Sequence, residues 1–217
     1  MEILERVAAE LMAGEDERTA TAVAAAIAAG TPPGRILDEG LIAGMNAIGQ
    51  RFRAHEIFLP DVLLAARAMY AGLGLLKPLL EQAGVPGRGK VVIGTVQGDL
   101  HDIGKNLVGI MLRGAGYEVI DLGSDVAPER FVATAKAEGA GLIGMSALLT
   151  TTMPVMGRVV ELLRAEGLSG KIKVVVGGAP LSAAFAAEIG ADAYAFDGAN
   201  AVQTVEALLR GAGAGQR

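Results

Sequence analysis

The chain has 217 residues, 52% of them apolar, which excludes wholesale disorder and allows one large buried core or two modest ones. It has no cysteine and only two histidines, which removes a disulfide framework and any thiolate metal site. Its net charge of −5, with no basic run and no tryptophan, argues against nucleic acid, whose phosphates call for clustered Lys and Arg.

The opening stretch MEILERVAAELMAGEDE carries acids early and lacks the basic start and apolar centre of a secretory signal. No apolar run approaches the roughly 20 residues of a membrane helix. A cytoplasmic chain without membrane partners is the expectation. Ile3, Leu4, Val7, Ala8 and Leu11 form a helical stripe over 1–12. An Ala-rich second helix spans 16–29 and ends at Gly30. A third starts after Thr31-Pro32-Pro33, where a missing N–H matters least, and runs to about Phe52. A fourth runs from Leu59-Pro60-Asp61 to about Gln82, with Pro78 as the point of disturbance. Four helices with short connections predict an antiparallel bundle over residues 1–83.

The period changes across 84–89, the start of GVPGRGK, which is the expected linker and hinge. Short apolar runs recur at 90–96, 117–122, 141–146, 172–176 and 192–196, the first four carrying Val, Ile or Leu. Amphipathic stretches follow at 104–115, 128–138, 152–166, 180–189 and 199–210. Five such repeats over 90–210 predict a Rossmann-like (flavodoxin-like) five-stranded parallel sheet with helices on both faces, because parallel strands need crossovers. GAGAGQR, 211–217, reads as a frayed tail.

Ligands of open α/β sheets sit outside the carboxyl ends of the strands. Those ends carry GDLHDIG, residues 98–104, then Ser146 to Thr152, then Gly177-Gly178-Ala179-Pro180, then Asp197-Gly198-Ala199-Asn200. The first loop does not supply the G-x-G-x-x-G of a dinucleotide site, and a Walker loop is absent. His101-Asp102 resembles a metal-dependent phosphohydrolase pair, but such sites need more histidines and only His55 remains. A phospho-receiver would use Asp99 and leave His101 and the later loops unexplained.

Asp99-x-His101-x-x-Gly104, then Ser146-x-Leu148, then Gly177-Gly178, resembles the signature of the cobalamin-binding domain. The helical half, GMNAIGQRFRAHEIFLPDVLLAARAM, is similar to the cap preceding that domain in cobalamin-dependent methionine synthase and in methyltransferase corrinoid proteins. The resemblance implies cobalamin, as methylcobalamin or a related corrinoid, with His101 as lower axial ligand of cobalt in place of the cofactor's own base (base-off, His-on). Imidazole suits such a metal. It further implies that Asp99 orients His101 and that Thr152 extends a His–Asp–Thr relay. Cofactor contacts are implied at Gly98, Leu100, Asp102, Ile103, Gly104, Ser146, Leu148, Thr150, Gly177, Gly178 and Gly198. Asp102 is also suited to capping the next helix.

In the cap, Phe52, Leu59 and Val62 align with residues that shield the upper face of the corrin. The residues alone read as bundle core; the resemblance favours a cofactor role for Phe52 and Leu59. His55 reads as a surface histidine. Either Asp38 or Glu39 matches a carboxylate that contacts the corrin in the family.

The resemblance implies a methyl carrier, with cobalt cycling between methyl-Co(III) and Co(I). Its partners would be a substrate-specific methyltransferase, an acceptor methyltransferase and a reductive activase. Without cysteine there is no thiolate zinc site for activating an acceptor thiol, so the chain reads as a non-autonomous corrinoid subunit. The alternatives are the B12-binding subunit of an adenosylcobalamin mutase, or a cobalamin sensor or storage protein.

Overall fold

A computed structural model describes residues 2–84 and 87–213, the latter with side chains to 210. The chain divides into two compact units, Met1–Gly87 with Arg113–Gly116, and Arg88–Leu112 with Tyr117–Arg217. Val85 and Pro86 of the expected linker, and residues 214–217 of the expected tail, lie outside the described residues.

The first unit is helical: α1 (Ile3–Met12), α2 (Asp16–Ala28), α3 (Pro33–Arg35), a π-helical segment (Ile36–Ile42), α4 (Ala43–Arg53) and α5 (Leu59–Gln82). Pro33 opens α3 at a position that needs no N–H donor. The expected third helix is thus one helical run whose middle widens to π geometry, an irregularity with no signature in its apolar spacing. Asp61 starts α5 by accepting the Phe58 N–H at 2.8 Å, half of a capping box. Val62, Ala65, Met69 and Leu76 are fully buried on one stripe of α5, which packs on α2. The helix continues through Pro78 without a break.

α5 also corrects the expectation that no run reaches membrane length. Its 24 residues, with a mean hydropathy of 1.4 over the most apolar window, are long and apolar enough to cross a membrane by length and composition. Arg67 and Lys77 break the run when it is read residue by residue, yet leave its average high. Of that window 39% is buried inside the structure.

The second unit alternates β1 (Lys90–Thr95), α6 (Ile103–Gly114), β2 (Glu118–Asp121), α7 (Pro128–Glu138), β3 (Leu142–Ser146), α8 (Pro154–Ala165), β4 (Lys173–Gly177), α9 (Ala183–Ile189), β5 (Ala193–Ala195) and α10 (Gly198–Gly213). All pairings are parallel, in the order β2-β1-β3-β4-β5. Val92, Phe131, Ile143, Met156 and Val176 are buried to 2% exposure or less in one core. Each such side chain contributes about 1.5–3 kcal/mol. The five strands and five helices stand where the apolar runs predict, with shifts of a few residues at their ends. The largest are three residues, at the start of α9 and at the end of α10, which runs into the expected tail.

Candidate functional site

The strand order reverses direction between β1 and β3, since β2 lies on one side of β1 and β3 to β5 on the other. Loops leaving β1 and β3 therefore diverge and open a crevice at their carboxyl ends. The β1 loop brings Asp99 and His101 to this point; the β3 loop brings Leu148, Leu149 and Thr152.

Asp99 is fully buried and joins the two loops. Its Oδ1 accepts the His101 backbone N–H at 3.0 Å and faces His101 Nδ1 at 2.8 Å. Its Oδ2 accepts the N–H groups of Leu148 at 2.7 Å and Leu149 at 3.1 Å. The Thr152 hydroxyl lies 3.0 Å from the same Oδ2 and 2.8 Å from the Leu149 carbonyl, and its single proton serves one acceptor at a time. The structure thus lines up His101, Asp99 and Thr152. An ionised Asp99 only accepts, so the proton between them belongs to Nδ1, the tautomer that leaves the Nε2 lone pair available whenever the ring is neutral.

Burial alone would raise the Asp99 carboxyl, but hydrogen bonds from the His101 N–H, the Leu148 N–H, the His101 ring and the Leu149 N–H outweigh it. Together they hold the group well below the ordinary carboxylate range. The folded chain therefore keeps Asp99 ionised at a pH where the unfolded chain protonates it. Stability from this residue is full above about pH 4, the ordinary range, and is lost as pH falls toward the depressed folded value. Acid unfolding of apoprotein should show this slope below pH ~4. Asp99→Asn should flatten it, and should lower stability at neutral pH by about 1–3 kcal/mol because an amide N–H₂ can face the Leu148 and Leu149 donors. An unchanged acid limb would refute this account.

His101 is half exposed, its side chain at 54%. Leu100 and Ile103 are more than 70% exposed, and Leu148, Leu149 and Phe196 are exposed as well. Gly98 is exposed, Ser146 half-buried at the end of β3, and Thr150 exposed on the turn after it. Asp102 stands just before α6, where its carbonyl accepts the Asn106 N–H at 2.8 Å; the cap bond runs through its backbone. Gly177 ends β4, and Gly178 follows at φ +136. A Cβ on Gly178 would lie 1.9 Å from the Ala147 carbonyl oxygen, so the β3 and β4 loops approach through it. Gly198 opens α10 against Met111 of α6.

In the helical unit, Phe52 is half-buried, Leu59 is 36% exposed, and Val62 is fully buried, as a core residue would be. His55 is exposed, at φ +57 in the turn after α4. Asp38 and Glu39 both fall in the π-helical segment, and Glu39 is bound by Arg35 Nε and Nη2 at 2.7 Å each.

Two features escaped the sequence reading. The Leu148 and Leu149 donors are backbone groups that no side-chain identity reveals. Lys105, 5% exposed in the first turn of α6, is bound 2.6 Å from both carboxylate oxygens of Asp121 at the end of β2. A cation there opposes the helix dipole, and that mismatch was the available signal of a buried partner.

Among the described residues no group of three or more His, Cys, Asp or Glu could hold a bare metal ion. A single oriented imidazole among exposed apolar side chains instead fits a metal that brings its other ligands in a broad apolar ring. The residues present therefore fit a corrinoid.

Comparison with known proteins agrees. Residues 89–206 match a family model described as a B12 binding domain, and residues 3–77 match a second one of the same description. Dimethylamine corrinoid protein 1 of Methanosarcina acetivorans is 48% identical over 178 residues, 82% of this chain and 84% of that protein. The methanol:cobalamin methyltransferase complex MtaBC of Methanosarcina barkeri contains a chain with TM-score 0.83 and 33% identity, matched over 96% of this chain and 80% of that one. A cobalamin-binding protein of Desulfitobacterium hafniense gives TM-score 0.79 at 31% identity, over 94% of this chain and 98% of that one. The chain belongs to the B12-binding corrinoid protein family, and its cofactor is a cobalamin or related corrinoid.

Proposed function

We propose that the chain is the methyl-carrying corrinoid subunit of a methyltransferase system, with residues 1–83 as cap and 90–210 as cofactor domain. When bound, the corrinoid supplies the methyl-transfer chemistry, its cobalt alternating between methylated Co(III) and nucleophilic Co(I). The protein's own part is orientation. Asp99 holds Nδ1–H, so His101 presents Nε2 as the lower axial ligand, and Thr152 shares the second oxygen of the same carboxylate. That shared carboxylate lets ligand orientation respond to proton movement along the line. The exposed Leu100, Ile103, Leu148 and Leu149 form an apolar seat around the imidazole, while Ser146, Thr150 and the glycines face the nucleotide tail. The carrying observation is the buried Asp99 at the β1/β3 divergence, five times hydrogen-bonded and directed at one half-exposed histidine.

Similarity to corrinoid proteins over both halves of the chain supports a carrier working with separate methyltransferase chains, one loading and one unloading it, and a reductive activase. The test loads the purified chain with methylcobalamin and adds candidate partner methyltransferases with an acceptor thiol. Methyl loss from cobalt that depends on both partner and chain is the expected result. Stable retention of adenosylcobalamin, together with binding to a mutase subunit, would overturn the carrier assignment.

A further inference from the structure

The His101 loop is gripped from two sides, and only one grip involves the Asp99 carboxylate. Beyond β2, the segment Gly123–Val126 runs alongside the end of β1. The Gly123 carbonyl accepts the Thr95 N–H at 2.9 Å, and the Thr95 carbonyl accepts the Val126 N–H at 3.0 Å. Between these bonds stands Asp125, a non-glycine residue at φ +54. Few non-glycine residues adopt this left-handed conformation, and aspartate and asparagine are the types that enter it most readily. Its N–H donates to the Asp99 carbonyl at 3.0 Å, and its Oδ1 accepts the Gly98 N–H at 2.7 Å. The left-handed turn is what lets one residue turn both its amide and its carboxylate onto the same two-residue stretch.

We propose that Asp125 is a positioning residue for His101: it clamps the Gly98–Asp99 backbone from the β2 side, so that the imidazole is already oriented when the corrinoid arrives. The proposal rests on His101 being the axial ligand. The β3 loop holds the Asp99 side chain through Leu148, Leu149 and Thr152; Asp125 holds the peptide that carries it. The backbone two residues before His101 is thereby fixed, and the Asp99–His101 distance with it. The Thr95 hydroxyl adds a third point by donating to the His101 carbonyl at 3.2 Å.

Two variants separate the side-chain bond from everything else. Asp125→Gly tolerates the positive φ and keeps the N–H to Asp99, removing only the acceptor for Gly98. Asp125→Asn tolerates the same φ and keeps an acceptor oxygen. Each chain, labelled with nitrogen-15 histidine to tell its imidazole from the cofactor's own base, is loaded with hydroxocobalamin, reduced to Co(II) and examined for nitrogen-15 hyperfine coupling, with the thermal midpoint and the Gly98 amide exchange rate measured on apoprotein. In D125G the ratio of histidine-bound to histidine-free cobalt should fall roughly tenfold, the weight of one lost hydrogen bond to a charged group. Its Gly98 amide should exchange faster and its thermal midpoint should fall by a few degrees; D125N should restore all three. A D125G ratio equal to the parent's, or a D125N ratio as low as that of D125G, overturns the clamp. A parent chain without nitrogen-15 coupling overturns the ligand assignment itself, and the clamp with it.

Discussion

His101→Ala is expected to abolish the nitrogen hyperfine coupling from protein imidazole in the Co(II) form of the reconstituted chain. The substitution is selective because the histidine contributes little to the fold. Its ring is half exposed, and its backbone N–H, which alanine retains, still donates to Asp99 Oδ1 at 3.0 Å. Asp99 also keeps Leu148, Leu149 and Thr152. The apoprotein should therefore lose no more than about 3 kcal/mol, the upper weight of one hydrogen bond to a charged group. The cofactor's own base, which also couples through nitrogen, or water would then replace it, so the chain is labelled with nitrogen-15 histidine to mark the protein's imidazole. Nitrogen-15 coupling that persists in the variant would place the ligand elsewhere, and His55 is the only other histidine.

The sequence made the sheet legible because β1, β3 and β4 are short buried runs rich in Val, Ile and Leu, closed by a glycine or a small polar residue. Strand ends were legible for the same reason, and the ends are where the site lies. Thr152 illustrates the limit. It falls at the start of the predicted 152–166 helix, but α8 begins only at Pro154, whose ring favours the first helical turn. The two preceding residues stay in a turn that lets the Thr152 hydroxyl reach Asp99. Its place beside Asp99 is implied by the resemblance, since helical periodicity carries no trace of that turn. The π-helical segment over Ile36–Ile42 was hidden because ILDEGLI satisfies a 3.6-residue stripe as well as a wider one. Asp125 was invisible for a third reason: its function depends on a backbone angle, and aspartate after a strand usually marks an ordinary turn.

Glycines of the signature look alike in the sequence, and the structure separates them into two kinds with opposite expected behaviour. At Gly178 an added Cβ would sit 1.9 Å from the Ala147 carbonyl oxygen, at a φ of +136 that side chains avoid. Nothing flexible can yield, because the obstacle is backbone. Gly178→Ala should lower apoprotein stability by at least about 3 kcal/mol, read as a displaced denaturant midpoint. Moving Ala147 also moves the adjoining Leu148 N–H away from Asp99, so the His101 orientation should fail with it. Gly104, exposed in the first turn of α6, has no heavy atom within 4 Å of an added Cβ. Gly104→Ala should leave apoprotein stability unchanged or slightly higher, since alanine favours helix by up to about 1 kcal/mol over glycine. If that open space is where the nucleotide tail lies, the same methyl should weaken corrinoid binding by roughly tenfold, equivalent to about 1.4 kcal/mol. Titration of both apoproteins with hydroxocobalamin, beside their denaturant curves, separates the two. Full affinity in G104A would move the tail away from the start of α6, and a stable G178A would show that the two loops can part without loss.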